Sequence, residues 1–281
     1  MSVFLSSYPI GKKVGLSNYL KSIFSCYRLN QIYNKGLVPC VYGFNNDNFK
    51  TLFDCDNLVY NDSLEFKLHS LDSFDKVRDL VGVGVSPYIL SFTWRFYLSD
   101  EDRVNCKPFG KEWYYWDDPN SIDFKFTSIP QNMIDLYLGV IINFPIRKKL
   151  LDWVDHLSHG IGEVRLGVHI RTWRGEDTIY NNRFNHYLST KQEIIDSINQ
   201  SDHKKVLICS DDLIEVGDLV KYISGKEFFF YINRKDFTQL ENDFCELLLL
   251  SRSMDFIGSL NSTFSELVWW YGGCQLGVKI I

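Results

Sequence analysis

From residue 164 onward, short apolar runs and amphipathic stretches alternate so regularly that few architectures can hold the chain. Strands are expected at 164–171, Val206–Ser210, Glu227–Tyr231 and Asp255–Ser259, with helices at about 190–199, 213–222, 241–252 and 264–271. Strand and helix in strict alternation imply a parallel sheet with helices packed on it, an α/β fold. The first of these strands is the most informative. Val164, Leu166, Val168 and Ile170 alternate with Arg165, Gly167, His169 and Arg171, giving it two unlike faces, and it ends abruptly in a charged cluster that runs on through Arg174, Glu176 and Asp177.

The amino-terminal part opens in the same way. Val3–Ser6 reads as a strand, and a loop then leads into an amphipathic helix carrying Leu16, Leu20, Ile23, Phe24, Tyr27 and Ile32. Ser17 or Asn18 can cap its start, Gly36 ends it, and Leu37–Tyr42 forms the next strand. From Asn45 to about Tyr115 the pattern blurs, with short candidate strands at Leu58–Tyr60 and Tyr88–Tyr97. The glycine-rich Val81–Val85 lacks dinucleotide-loop spacing and reads as a flexible strand or turn. The aromatic run Trp113–Trp116 suits either stacking on a sugar or simple packing. Gln131–Leu157 contains Pro145 and is expected to form two helices, or one kinked at the proline. Two lobes follow, 1–160 and 161–281, a division in keeping with ordinary domain sizes.

Composition narrows the function. The chain has 281 residues, 45% of them hydrophobic and 16% aromatic, enough to build a substantial core. A net charge of −5 provides no general field for a polyanion, so nucleic acid is not an expected partner and any phosphate site must be local. The seven cysteines are scattered without metal-ligand spacing, so reduced thiols and no structural metal are expected. The first apolar stretch is too short for a membrane span and lacks the order of a signal peptide, and the expectation is a cytoplasmic protein with no integral membrane segment.

Three strands of the second lobe end in polar clusters: His169/Arg171/Arg174, then Cys209–Asp212, then Ser259–Ser265. In a parallel sheet these ends share one edge, where ligands bind in open α/β sheets. Arg171 would bring a permanent forked cation, and the last cluster opens a helix whose free N–H groups suit phosphate. Each part alone has a plainer reading. On that reading Ser262 or Thr263 is a helix cap, Asp211 and Asp212 a cap and a first-turn acid, and His169 a core histidine. Their convergence favours a site.

Taken in order, these segments resemble the motifs of the fucosyltransferase superfamily that includes α1,2-, α1,6- and protein O-fucosyltransferases and the nodulation enzymes. Val168–Arg171 matches the first motif, Leu207–Asp212 the second, and Ser251–Gly258 with Asn261–Ser265 the third; the segment from Gly15 matches the amino-terminal loop and helix, with Ser17 in place of a glycine. The resemblance implies a GT-B-like pair of Rossmann-like lobes with the donor crevice between them. It further implies a GDP-fucose donor, a glycan acceptor, inversion at the anomeric carbon, and no cofactor or metal. Carried over, Arg171 would bind the β-phosphate and stabilise departing GDP. His169 would face the nucleotide, Asp211 and Asp212 its ribose or base, Glu246 the base, and Ser262, Thr263, Phe264 and Ser265 the pyrophosphate. Gly15 and Asn18 would close from the other lobe. The chain departs from the pattern at Thr172-Trp173, which displaces Arg174 as a phosphate ligand, and Glu176 or Asp177 is the nearest acid for a general base. Another nucleotide sugar, or a binder without catalysis, is the alternative these departures leave open.

Overall fold

The computed structural model describes residues 4–6, 16, 17, 20, 24, 38–41, 51–54, 59–60, 67–70, 88–91, 131–162, 165–172, 178–259 and 262–281. The expectations for Val81–Val85 and Trp113–Trp116 lie outside them. The chain divides into two units, and among the described residues the division falls between Lys148 and Lys149.

In the first unit, strands β1 (Phe4–Ser6), β2 (Val38–Val41), β3 (Val59–Tyr60), β4 (Lys67–Ser70) and β5 (Tyr88–Ser91) form a parallel sheet in the order β3-β2-β1-β5-β4. Strand β4 is not anticipated from sequence, because Lys67-Leu68-His69-Ser70 has a single apolar residue and no alternation to read. The helical residues Leu16, Leu20 and Phe24, four apart, are all buried, as one face of a helix requires. Phe24 meets Phe144 with ring centroids 5.2 Å apart, and Phe53 meets Phe144 at 5.8 Å.

Helix α1 (Gln131–Ile141) stops short of Pro145, so the chain makes two helices rather than one kinked helix. The intervening segment pairs back on residues 52–54. Asp54 N donates to Pro145 O at 2.7 Å and Arg147 N to Leu52 O at 2.9 Å. A proline cannot donate, but its carbonyl serves this bridge.

The second unit continues with helix α2 (Lys148–Ile161), β6 (Leu166–Ile170), α3 (Thr178–Gln200), β7 (Lys205–Ser210), α4 (Leu213–Val220), β8 (Glu227–Phe230), α5 (Gln239–Leu250), β9 (Asp255–Gly258), α6 (Thr263–Tyr271) and β10 (Gly277–Ile280). Its five strands are parallel in the order β10-β9-β6-β7-β8. The sequence division near 160 was drawn at the first clean strand, whereas α2 from Lys149 on groups with the second unit. Lys205 Nζ donates to Ile161 O at 2.5 Å, Asp155 pairs with Arg252 at 2.5 Å, and the Cys245 thiol reaches Leu150 O at 3.9 Å.

The two unlike faces of β6 take different partners. Leu166, Val168 and Ile170 join Val206, Ile208, Tyr187, Ile194, Ile198, Val216 and Leu219 in one apolar cluster, so this face is covered by α3 and α4. Arg165, Gly167 and His169 face the other way, where Arg165 bonds Leu249 O and His169 meets Ser265. Gly167 is a close-approach position, because a Cβ there would lie 2.6 Å from Ser253 Oγ. The alternation read from the sequence is therefore a sheet buried on both sides, with its polar residues on the α5 and α6 side.

Candidate functional site

The order β10-β9-β6-β7-β8 reverses direction between β6 and β9. Such a switch point leaves a crevice beyond the strand ends, the usual ligand position in open α/β sheets. The residues immediately beyond β6 and β9 are Arg171 and Ser259, and a hydrogen-bond network joins them. Ser259 Oγ accepts from Arg171 N at 2.9 Å and donates to His169 O at 2.8 Å. Ser265 Oγ in turn accepts from Ser259 N at 3.1 Å and lies 2.8 Å from His169 Nδ1.

The first turn of α6 begins at this network. Ser262 caps the helix by accepting from Ser265 N at 3.3 Å, while the N–H groups of Thr263 and Phe264 have no intrahelical acceptor and carry the positive end of the helix dipole. Phe264 stacks on the His169 ring with centroids 4.7 Å apart. Gly258 lets the helix come this close, since a Cβ there would lie 2.9 Å from Ser265 Cβ and 2.8 Å from Ile280 Cδ1. Gly258→Ala is expected to force the helix start away from β9 and destabilise the unit by about 1–3 kcal/mol, as overpacked cores do. Urea unfolding measures this; a midpoint unchanged from the parent would contradict the close approach.

His169 is neutral. Burial first, and the Arg171 charge second, push its imidazole down to about 3. Because the Ser265 oxygen already accepts from Ser259, its hydroxyl is placed to donate to His169 Nδ1, which leaves the ring proton on Nε2; that tautomer is assigned from the network.

On the other side of β6, Asp211 follows β7. Its Oδ1 accepts from Thr172 N at 2.7 Å and from Thr172 Oγ1 at 2.8 Å, and its Oδ2 lies 3.6 Å from Arg171 Nε. Arg171 and Asp211 side chains are 30% and 28% exposed, so the pair sits at a surface a ligand can reach. Asp212 takes the plainer of its two readings at one oxygen, because Oδ1 caps α4 by accepting from Ile214 N and Glu215 N.

Glu246 of α5 completes the cluster. Its carboxyl accepts from the Cys209 thiol and feels Asp243 and Asp211; burial outweighs the thiol and raises it to about 7. A folded state that keeps this proton loses stability relative to the unfolded chain as pH rises from about 4.5 to 7, because the unfolded glutamate has already ionised in that window. Glu246→Gln removes the ionisation. It is expected to narrow the fall in unfolding free energy between about pH 5 and about pH 8 by an amount on the order of 2 kcal/mol, measured by denaturant titration at both values. Equal pH profiles for the two proteins would contradict the assignment.

The structure thus gathers His169, Arg171, Asp211, Asp212, Glu246 and Ser262 to Ser265 on one sheet edge. Gly15, Asn18, Arg174, Glu176 and Asp177 lie outside the described residues. Ser259 was visible only as part of a polar cluster, and nothing in its neighbours marks its bridging role.

No protein-family model and no curated protein matches the sequence. Solved structures do match. A mutant of Arabidopsis thaliana FUT1 in complex with GDP aligns over 99% of this chain and 69% of its own, with a TM-score of 0.58 and 14% identity. The fold is that of the fucosyltransferases. NodZ α-1,6-fucosyltransferase soaked with GDP-fucose aligns over 96% of this chain and 93% of its own, with a TM-score of 0.52 and 13% identity. POFUT1 in its apo form aligns over 100% and 97%, with a TM-score of 0.54 and 11% identity. The GT-B-like fold expected from the motifs is therefore present, with one five-stranded parallel sheet in each unit. Among the described residues, no helix is long and apolar enough to cross a membrane.

Proposed function

We propose that the chain is an inverting glycosyltransferase that moves fucose from GDP-fucose to a hydroxyl of a glycan acceptor, without a metal ion. The observation that carries this reading is Arg171, a forked cation at the switch point beside the first turn of α6, in a fold whose solved neighbours include complexes with GDP and GDP-fucose. A pyrophosphate there would meet the guanidinium and the N–H groups of Thr263 and Phe264 together. As the bond from the sugar to the β-phosphate breaks, negative charge grows on the departing GDP. A preorganised cation stabilises that charge more in the transition state than in the bound donor.

His169, neutral and stacked on Phe264, faces the nucleotide as a hydrogen-bonding ring rather than a charge. Glu246, with Asp211 and Asp212, is assigned to the base and ribose; raised to about 7, the Glu246 carboxyl gives up its proton to accept the paired N–H donors of guanine in its ionised form. Ser262 and Ser265 shape the pyrophosphate end. Glu176 or Asp177 takes the proton from the acceptor hydroxyl, and Arg174, Gly15 and Asn18 complete donor binding.

Release of GDP from GDP-fucose, followed with EDTA present and compared with GDP-mannose and UDP-galactose, tests the reading. Turnover of GDP-fucose well above the other two is expected. Preference for another donor, or dependence on added metal, would overturn it.

A further inference from the structure

We infer that Ser259 and Asp211 are positioning residues that clamp Arg171 from the two strands flanking β6. The inference rests on the function proposed above and concerns how the cation is held. Pairing of β6 with β9 ends at Val168↔Ile257, so past this point backbone pairing to β9 no longer fixes the β6 chain. The Ser259 hydroxyl takes over, donating to His169 O and accepting from Arg171 N. On the opposite side, pairing of β6 with β7 ends at Ile170↔Ser210. There Asp211 takes over, accepting the backbone N–H and the hydroxyl of Thr172 through one oxygen and facing Arg171 Nε with the other.

Two side chains therefore extend the sheet by one to two residues, and the Cα of Arg171 lies between two fixed N–H groups. Ser259 N is itself held by Ser265 Oγ in the first turn of α6, so the clamp also sets the distance between the cation and the helix start. Arginine has four rotatable side-chain bonds, and fixing its root removes much of the positional freedom that would otherwise blunt its action on a developing charge. Asp211 accordingly acts through Arg171 and Thr172, in addition to any contact it makes with a ligand.

A double-mutant cycle in GDP affinity and in turnover of GDP-fucose separates this role from general structural support. Ser259→Ala should lower kcat by roughly 10-fold with a smaller change in KM, and Ser259→Thr, which keeps the hydroxyl, should recover most of it. In an Arg171→Ala background, Ser259→Ala should change GDP affinity by less than about 2-fold, because the group it positions is gone, and Asp211→Asn should cost less than it does in the wild type, keeping only the loss of its own contact with the nucleotide. If the losses add fully to that of Arg171→Ala while the wild type binds GDP, the clamp is wrong and the donor assignment stands. If the wild type neither binds GDP nor turns over GDP-fucose, the donor assignment fails and the clamp falls with it.

Discussion

Arg171→Ala is expected to reduce transfer from GDP-fucose by roughly 100- to 1,000-fold, or about 3–4 kcal/mol of transition-state stabilisation, the usual consequence of deleting a preorganised donor at a developing charge. The same substitution should change unfolding free energy by less than about 1 kcal/mol, because its ion pair with Asp211 is partly exposed and such pairs contribute little to stability. Arg171→Lys keeps the charge but loses the planar fork that matches two phosphate oxygens, and should fall between the parent and the alanine variant. Steady-state kinetics with kcat and KM determined separately, together with urea unfolding of each variant, provide the check. A variant as active as the parent would remove Arg171 from the chemistry.

The largest stability effect is expected elsewhere, at Arg165→Ala. This arginine is fully buried on β6's approach to the sheet and has no carboxylate among its described partners. Its Nη1 donates to Gly162 O at 2.7 Å and to Ser158 Oγ at 3.1 Å, and its Nη2 donates to Leu249 O at 3.0 Å. Gly162 follows α2 and Leu249 lies in the last turn of α5, so a single cation serves the negative ends of two helices. Burial lowers its pKa, Arg252 lowers it further, and Cys209 acts in the opposite sense. Truncation would leave a cavity and strand acceptors that water does not reach, for a loss of about 3–5 kcal/mol in urea unfolding. Arg165→Met fills the space without satisfying the acceptors and should recover only part of the loss. A change below about 1 kcal/mol for the alanine variant would show that the acceptors find other donors.

How far the sequence could be read depended on whether a residue acts through a period or through a contact. The strand–helix alternation after 164 was legible because each element repeats its pattern over enough residues to show, as in the alternating faces of β6. Strand β4 has no such pattern, and β10 follows Gly272 and Gly273 with only four residues, half-buried at the sheet edge, so neither could be read. Helix α3 begins at Thr178, well before the apolar spacing at 190 becomes clear, since its mean hydropathy is low and polar residues dominate its first turns. The site was legible as three polar strand ends, because a parallel sheet brings such ends to one edge. What joins them was not. Ser259 and Ser265 look like ordinary loop and helix-cap serines, and only the strand order β9-β6-β7 puts one hydroxyl between the chains of Arg171 and His169. Arg165 was read as the polar partner in an alternation; its burial at two helix ends depends on the packing of α2 and α5, which no local pattern records.

The measurement that bears most directly on the central claim is a calorimetric titration of the wild-type chain with GDP, UDP and CMP, with EDTA present, repeated with Arg171→Ala. A site formed by Arg171, His169 and the start of α6 predicts binding of GDP in preference to the other two, weakened at least about 10-fold in the variant. Absence of GDP binding, or binding that Arg171→Ala leaves intact, would contradict it.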